Sequence, residues 1–225
     1  MEHQERHINY DLIVVAKSSS QRLIDITQNC INSARADCDL NVIVVETGKG
    51  TVNYNAKIVH YTGPFNYNRA LNLGLKHVTG DVHILANNDI IFHPGWSVMG
   101  EQMLLNGFDS ACALSSDPRH DVFERGDFVY EGYIVGVHLP GWCIFVTKKC
   151  IETIGGLDES FEFWYSDNIY ADQLQAAGIK HGIFCNVQVD HLTSCTLSTL
   201  SSSDQRRYSY AAIGKYKSIK RRYAV

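Results

Sequence analysis

The N-terminal half of the chain is organised by short apolar runs of strand length: LIVVA (Leu12 to Ala16), NVIVVE (Asn41 to Glu46), AKIVHY (Ala56 to Tyr61) and VHILA (Val82 to Ala86). Runs of this kind, with little polar alternation, suit strands buried on both faces, and helices must then cover those faces. The chain supplies them. Ser18-Ser19-Ser20 can cap a helix in which Leu23, Thr27, Cys30, Ile31 and Ala34 share one side. Phe65-Asn66-Tyr67-Asn68 leads into a second, through Ala70, Leu71, Leu73, Leu75 and Val78, which Gly80 ends. Strands alternating with helices predict an α/β fold, a single domain whose mainly parallel central sheet is flanked by helices.

The second half continues with less regularity. A helix through Trp96, Met99, Met103 and Leu104 is expected after Pro94-Gly95, then strands at Ser110–Leu114 and Cys143–Thr147 and a short helix over Lys148–Ile154. Ser166 or Asp167 can cap a helix carrying Ile169, Tyr170, Leu174 and Ala177 and stopped by Gly178. A last strand, Ile183–Val189, runs into Asp190-His191. Between Ser115 and Gly141 the pattern weakens into a polar segment, and a long irregular stretch in a compact domain is usually functional or mobile.

At 225 residues, 45% hydrophobic and 20% charged, the chain can bury one substantial core, which argues against disorder and repeats. The N-terminal apolar run is too short to span a membrane and lacks a signal-peptide layout, so a cytoplasmic protein is expected, with peripheral membrane attachment as its variant. Seven cysteines, scattered and without a CxxC pair, signal neither a disulfide framework nor a thiolate zinc site, and buried thiols are expected. Net charge is -4 but unevenly spread: Arg206, Arg207, Lys215, Lys217, Lys220, Arg221 and Arg222 form a C-terminal stretch without an acid. Residues 1–205 thus read as the domain and 206–225 as a basic, helical tail. The tail is either a solvated helix or a surface for phosphates of lipid, nucleic acid or nucleotide.

The run HILANNDIIFHPGW (His83 to Trp96) interrupts a strand with three turn-forming residues and then resumes it. In open α/β sheets ligands bind where strand ends meet loops. Three strand ends here carry suitable groups: Glu46, Asn87-Asn88-Asp89 and His191. Carboxylate and imidazole ligands with open positions suit a divalent cation, Mn2+ or Mg2+, that also holds phosphate oxygens.

In order and spacing, four segments resemble the family 2 glycosyltransferases of GT-A, Rossmann-like fold, over about residues 10 to 195. IVVET (Ile43 to Thr47) is similar to the family's VVDN-like strand end, PFNYNRALNLGL (Pro64 to Leu75) to its PFNF-type stretch, and ILANND (Ile84 to Asp89) to its DxD position. GWCIFVTKKCIETIGGLDESFEFWYSDNIYADQLQAAGIKHGIF resembles its GGFDE turn, the helix that bears an ED motif, and a closing His. The resemblance implies an inverting enzyme that moves a sugar from a nucleotide-diphosphate donor to a hydroxyl of a glycan or glycolipid. It casts Asp167 as the general base, Asp89 and His191 as ligands of Mn2+ or Mg2+, and Glu46, Arg69, Asn72, Asn87, Asn88 and Asp89 as the donor site. Trp142 and Trp164 fall on the acceptor side.

The chain departs from the pattern at Ser166, which stands where the family has Glu, at Ile169 for a second Asp, and at Gln173 for Arg. The plain alternative for Asp167 is a helix N-cap. Two other functions fit the same residues: transfer to hydroxymethylated bases in DNA, suggested by basic residues interleaved with tyrosines in the tail, and a non-catalytic nucleotide-sugar-binding module. A nucleotidyltransferase fits less well, because no Gly-rich phosphate loop follows the first strand.

Overall fold

The computed structural model describes residues 7–48, 50–192 and 202–223. In chain order these form β1 (Tyr10–Ala16), α1 (Gln21–Arg35), β2 (Leu40–Glu46), β3 (Lys57–His60), α2 (Tyr67–Leu75), β4 (Val82–Asn87) and β5 (Ile90–Phe92). Then follow a 3-10 turn at Trp96–Val98, α3 (Met99–Leu105), β6 (Ser110–Leu114), β7 (Val129–Glu131), β8 (Cys143–Thr147) and α4 (Lys148–Ile154). The last elements are α5 (Ser166–Ala176), β9 (His181–His191) and α6 (Ser202–Ile219).

The sheet runs β3-β2-β1-β4-β8-β6-β9-β5, with β7 also against β9. Its first half is parallel, as the strand and helix alternation predicts. β8 then enters antiparallel to β4, and β6 antiparallel to β8. β9 is parallel to β6, while β5 and β7 pair with it antiparallel. Because successive strand residues point to opposite faces, the core divides in two. Leu12, Val14, Val44, Ile84, Trp96 and Phe145 pack on one face, and Ile13, Val15, Val45, Leu71, Leu85 and Leu174 on the other.

Local chemistry accounts for most helix starts. Ser20 caps α1 by accepting from the Leu23 N–H, and Leu23, Thr27, Cys30, Ile31 and Ala34 are its buried stripe. Asn66 caps α2 through the Arg69 N–H, and Thr147 caps α4 through that of Cys150. Cys30, Cys112, Cys143, Cys150 and Cys185 are buried thiols, and Cys195 lies outside the described residues.

Three expectations are corrected. The second helix does not run to Gly80 but stops at Leu75. The reason is the buried Asp11 carboxylate, which accepts from the N–H groups of Thr79 and Gly80 and pulls the chain out of helical geometry. Neither Ser166 nor Asp167 caps α5: the residue at the N-cap is Tyr165, with φ 68°, while the Ser166 hydroxyl donates back to the Phe163 carbonyl. The segment between Ser115 and Gly141 also carries structure of its own, a 3-10 turn at Pro118–His120 and strand β7.

The basic tail is helical, and α6 begins at Ser202, so the 205/206 boundary falls inside it. Its side chains at 202–208 and Arg221 lie outside the described residues, as do residues 193–201. Among the described residues no helix is long and apolar enough to cross a membrane.

α2 lies so close to the sheet that a Cβ on Gly74 would come within 2.5 Å of Ile13 Cγ2 and 3.1 Å of Val45 Cγ2. Gly74→Ala is therefore expected to destabilise the protein by about 1–3 kcal/mol, as overpacking does. Urea unfolding would measure it, and an unchanged midpoint would show that α2 can shift freely.

Candidate active site

The three residues after β4's apolar core turn in different directions. The Asn87 side-chain carbonyl accepts from the Tyr67 hydroxyl at 2.8 Å, and its N–H donates to the Trp142 carbonyl at 2.8 Å. Asn88 is buried against α1, where its amide donates to Thr27 Oγ1 at 3.0 Å. Asp89 is set by the strand that follows: Ile90 pairs with His191 across β5 and β9, and the Leu192 N–H donates to the Asp89 carbonyl at 2.9 Å. That register leaves the Asp89 Oδ1 3.1 Å from His191 Nε2.

The two groups are close without being aligned as a hydrogen bond, and among the described residues the buried His191 Nε2 has no hydrogen-bond partner. A carboxylate oxygen facing an orphaned imidazole nitrogen is a donor set that suits a divalent cation. It supplies two ligands. Among the described residues no group of three or more His, Cys, Asp or Glu is assembled, so a cation here needs oxygens from a bound ligand or water.

Trp142 stacks flat on His191, with centroids 4.9 Å apart and planes at 17°. The Arg119 guanidinium sits 5.5 Å from the Trp142 ring centre. Arg119 itself is held by Asp117, which accepts from its Nε at 2.9 Å and its Nη2 at 2.7 Å. This fork holds the Asp117 carboxyl down at about 2, Arg119's hydrogen bond being the main cause. Gly136, with φ 81°, leaves room for Arg119, since a Cβ there would collide with Nη1. Sequence reasoning missed Arg119; its signal, a charged residue in the irregular segment beside an Asp-Pro turn, is too common to single out.

Asp167 lies in the first turn of α5, half-buried, with Oδ1 accepting from the Asn168 N–H at 2.9 Å. Burial pushes its carboxyl above the ordinary carboxylate range, with the Asn168 N–H and the Arg119 charge working in the opposite sense. A Cβ on Gly141 would be 2.9 Å from the Asp167 Cβ and 3.0 Å from its Oδ2, so only a glycine fits beside the carboxylate. A cavity of about 20 Å³ borders Tyr67, Leu85, Gly141, Ile144, Asp167 and Tyr170. That is room for about one water.

Other expected site residues fasten these pieces together. Asn72 donates to the Leu157 carbonyl and Glu159 Oε1 and accepts from the Leu157 N–H. Arg69 is paired with Glu159 at 2.7 Å, and Asn66 and Asn68 donate to the carbonyls of Glu159 and Asp158. Glu46, fully buried, accepts from the Ser18 N–H and hydroxyl and from the Gly48 N–H, while the Ser18 hydroxyl also meets that of Tyr54 at 2.5 Å. It ties the β1–α1 loop to the β2 end. Trp164 is half-buried against Phe163, with centroids 5.3 Å apart. An opening of about 610 Å³ lies at the other end of β1, lined by Asn9, Arg35, Asp39, Asn41, Asn55 and Gly80, away from all of these groups.

The raised Asp167 carboxyl has a consequence for stability. A group that binds its proton more tightly folded than unfolded makes the folded state lose stability as pH rises through that range. Asp167→Asn is expected to raise Tm at pH 7, with the gain fading at about pH 3, where the wild-type carboxyl is protonated in both states. Calorimetry across that range would check it; a lower Tm at pH 7 would mean that the ionised carboxylate stabilises the fold.

No family model matches the chain, and no curated protein sequence does. Its fold is similar to that of GalNAc-T7 crystallised with UDP, GalNAc and Mn2+, at a TM-score of 0.62 and 10% identity over 82% of this chain and 43% of that one. It is also similar to residues 1–349 of S. aureus TarS, at a TM-score of 0.60 and 10% identity over 82% of this chain and 60% of that one. The chain spans less than two thirds of either structure. The fold is the α/β sheet flanked by helices that the strand pattern implies, of the GT-A type that the resemblance implies.

Proposed function

We propose that the chain is an inverting glycosyltransferase that moves a sugar from a nucleotide-diphosphate donor to a hydroxyl of a glycan or glycolipid. The observation that carries this reading is the placement of two consecutive residues. Gly141 packs against Asp167, and Trp142 stacks on His191, which faces Asp89. One short stretch thereby joins a cation-type ligand pair to a lone, partly desolvated carboxylate, which is the division of labour that group transfer from a diphosphate requires.

In this reading Asp167 takes the proton of the acceptor hydroxyl as its oxygen bonds to the anomeric carbon. The bond from that carbon to the diphosphate oxygen breaks on the opposite side, its electron pair leaves with the nucleoside diphosphate, and the centre inverts. The raised carboxyl suits the role, because a base is most effective when its pKa approaches the working pH. Asp89 and His191 would hold Mn2+ or Mg2+, which supplies charge stabilisation to the diphosphate. Asn87, held by Tyr67, and Asn88, held by Thr27, set the turn that presents Asp89. Glu46 shapes the loop that would receive the base, and Arg69 and Asn72 act by holding the turn before α5. Trp142 and Trp164 offer rings to the acceptor side.

The DNA reading gains nothing from the tail. Tyr216 and Tyr223, two of the rings that would stack on bases, instead donate their hydroxyls to Asp172 and Asp158.

Thermal-shift titration against UDP-, GDP-, dTDP- and CMP-linked sugars, with and without Mn2+, is the primary test, because a bound donor stabilises the fold by mass action. Asp89→Ala should abolish the Mn2+-dependent part of the shift, whereas Asn88→Ala should lower Tm yet keep it. Equal effects at the two positions would sink the ligand assignment. Asp167→Asn should keep donor stabilisation and lose transfer by about 10²–10⁴-fold. Stabilisation by a donor with neither transfer nor donor hydrolysis in the wild type would mark a binding module instead.

A further inference from the structure

α6 is not a free basic helix. Its Tyr216 ring packs on Tyr165, with centroids 5.0 Å apart and planes at 31°, and its hydroxyl donates to Asp172 Oδ2 in α5 at 2.8 Å. Tyr216 also meets Phe161 edge-on at 6.3 Å, and Lys215 lies 5.5 Å from the centre of the Phe161 ring. Ile219 completes a small apolar cluster with Phe161 and Ile169. Beyond the helix, the Tyr223 hydroxyl donates to Asp158 Oδ2 at 2.6 Å. The contacts fall on one stretch of the body, residues 158–172, and Asp167 lies within it.

The centre of that stretch is energetically unusual. Among the described residues Tyr165 is the non-glycine residue with positive φ, 68°, in the left-handed region that a bulky side chain occupies only at a cost. It sets the direction in which α5 begins. No side chain caps α5; the Ser166 N–H and hydroxyl close a turn onto the Phe163 carbonyl, and the Tyr165 carbonyl accepts from the Ile169 N–H. Those bonds set the turn but do not touch the Tyr165 ring, which is packed by Phe161 at 6.4 Å and by Tyr216 of α6 at 5.0 Å. Asp167 follows two residues later.

We infer that α6 is a positioning element for Asp167: Tyr216 braces Tyr165 in its left-handed conformation and anchors α5 through Asp172, so that the carboxylate is held against Gly141. This rests on the reading of Asp167 as the acceptor base. Tyr216 and Tyr165 are positioning residues, since neither contacts Asp89 or His191. The geometry separates two properties that a merely structural helix would not. The cation-type pair is built by β4, β5 and β9, none of which supports the α6 contacts described above, so loss of the brace should disturb the base and spare the donor.

The experiment uses the full-length chain as wild type, Tyr216→Ala, Tyr216→Phe and Tyr165→Gly. Hydrogen exchange followed by peptide mass spectrometry needs no ligand. Peptides covering 162–170 should exchange at least about tenfold faster in Tyr216→Ala, and those covering β4, β5 and β9 should be unchanged. Transfer would be measured with whichever nucleotide sugar of the UDP-, GDP-, dTDP- and CMP-linked panel stabilises the wild type most. In Tyr216→Ala kcat should fall by about ten- to a hundredfold, as misplacement of a catalytic group does, with donor KM within about twofold of wild type. Tyr216→Phe keeps the ring and should recover most of kcat. Tyr165→Gly relieves the backbone cost, so it should fold even if Tyr216→Ala does not, and its kcat should still fall.

Unchanged exchange at 162–170 in every folded variant overturns the inference whatever the activity. So does a fall in kcat matched by an equal rise in donor KM, which would place the effect on the whole site. Faster exchange confined to 162–170 in a wild type background that transfers no sugar would sustain the brace and remove the enzymatic reading, so the two can fail separately.

Discussion

The pairing of Ile90 with His191 is the contact on which the candidate site depends. β5 is three residues long and cannot persist alone, so its existence rests on the antiparallel edge that β9 offers. β9 is able to offer it because it is long, 11 residues, and its earlier part is already committed between β6 and β7. A shift of one residue in this register would send the His191 side chain to the opposite face. The interruption in HILANNDIIFHPGW follows from the same constraint: the chain must turn to leave β4 and resume as a strand at once to reach β9, and Asp89 is the residue the turn delivers beside the imidazole.

The second constraint is polar. The turn from Gly155 to Glu159 is gripped from α2 by Asn66, Asn68 and Asn72 and from α5 by Gln173, which donates to the Gly156 carbonyl and accepts from the Asp158 N–H. Each such bond contributes about 0.5–1.5 kcal/mol net, but their joint effect is geometric. The three asparagines, of which the resemblance casts only Asn72 as donor-binding, fix the turn that leads toward α5 and Asp167. Tyr67 extends the grip to β4 through Asn87, so that α2 touches both halves of the site.

Where local chemistry decides the structure, the sequence was legible. The α1 stripe, β6, β8 and α4 all follow from apolar spacing and hydroxyl caps that act within a few residues. Strand ends were legible too, since Glu46, Asn87 and His191 are the last residues of β2, β4 and β9, with Asn88-Asp89 in the turn that follows β4. The illegible parts have distant causes. α2 stops early because Asp11, far back in β1, captures the N–H groups of Thr79 and Gly80. The start of α5 is decided by Tyr165 and by a helix that joins it from the end of the chain, and Arg119 gains its place only once Asp117, Gly136 and Trp142 are assembled around it.

At 10% identity to the two solved structures, what is shared is the course of the backbone, and the residues that differ have to be explained from this chain's own packing. Two departures from the resembled pattern have such an explanation. Ile169 stands where the pattern has a second Asp, and here it is fully buried in the cluster with Phe161 and Ile219. A carboxylate at that point would be taken out of water with apolar neighbours around it, at a cost of several kcal/mol. Gln173 stands where the pattern has Arg, and here it must both donate and accept across the turn, which a guanidinium cannot do because it has no acceptor. The substitution at 169 therefore belongs with the docking of α6, and the one at 173 with the grip on the turn: both trade a charge near Asp167 for contacts that hold the start of α5 in place.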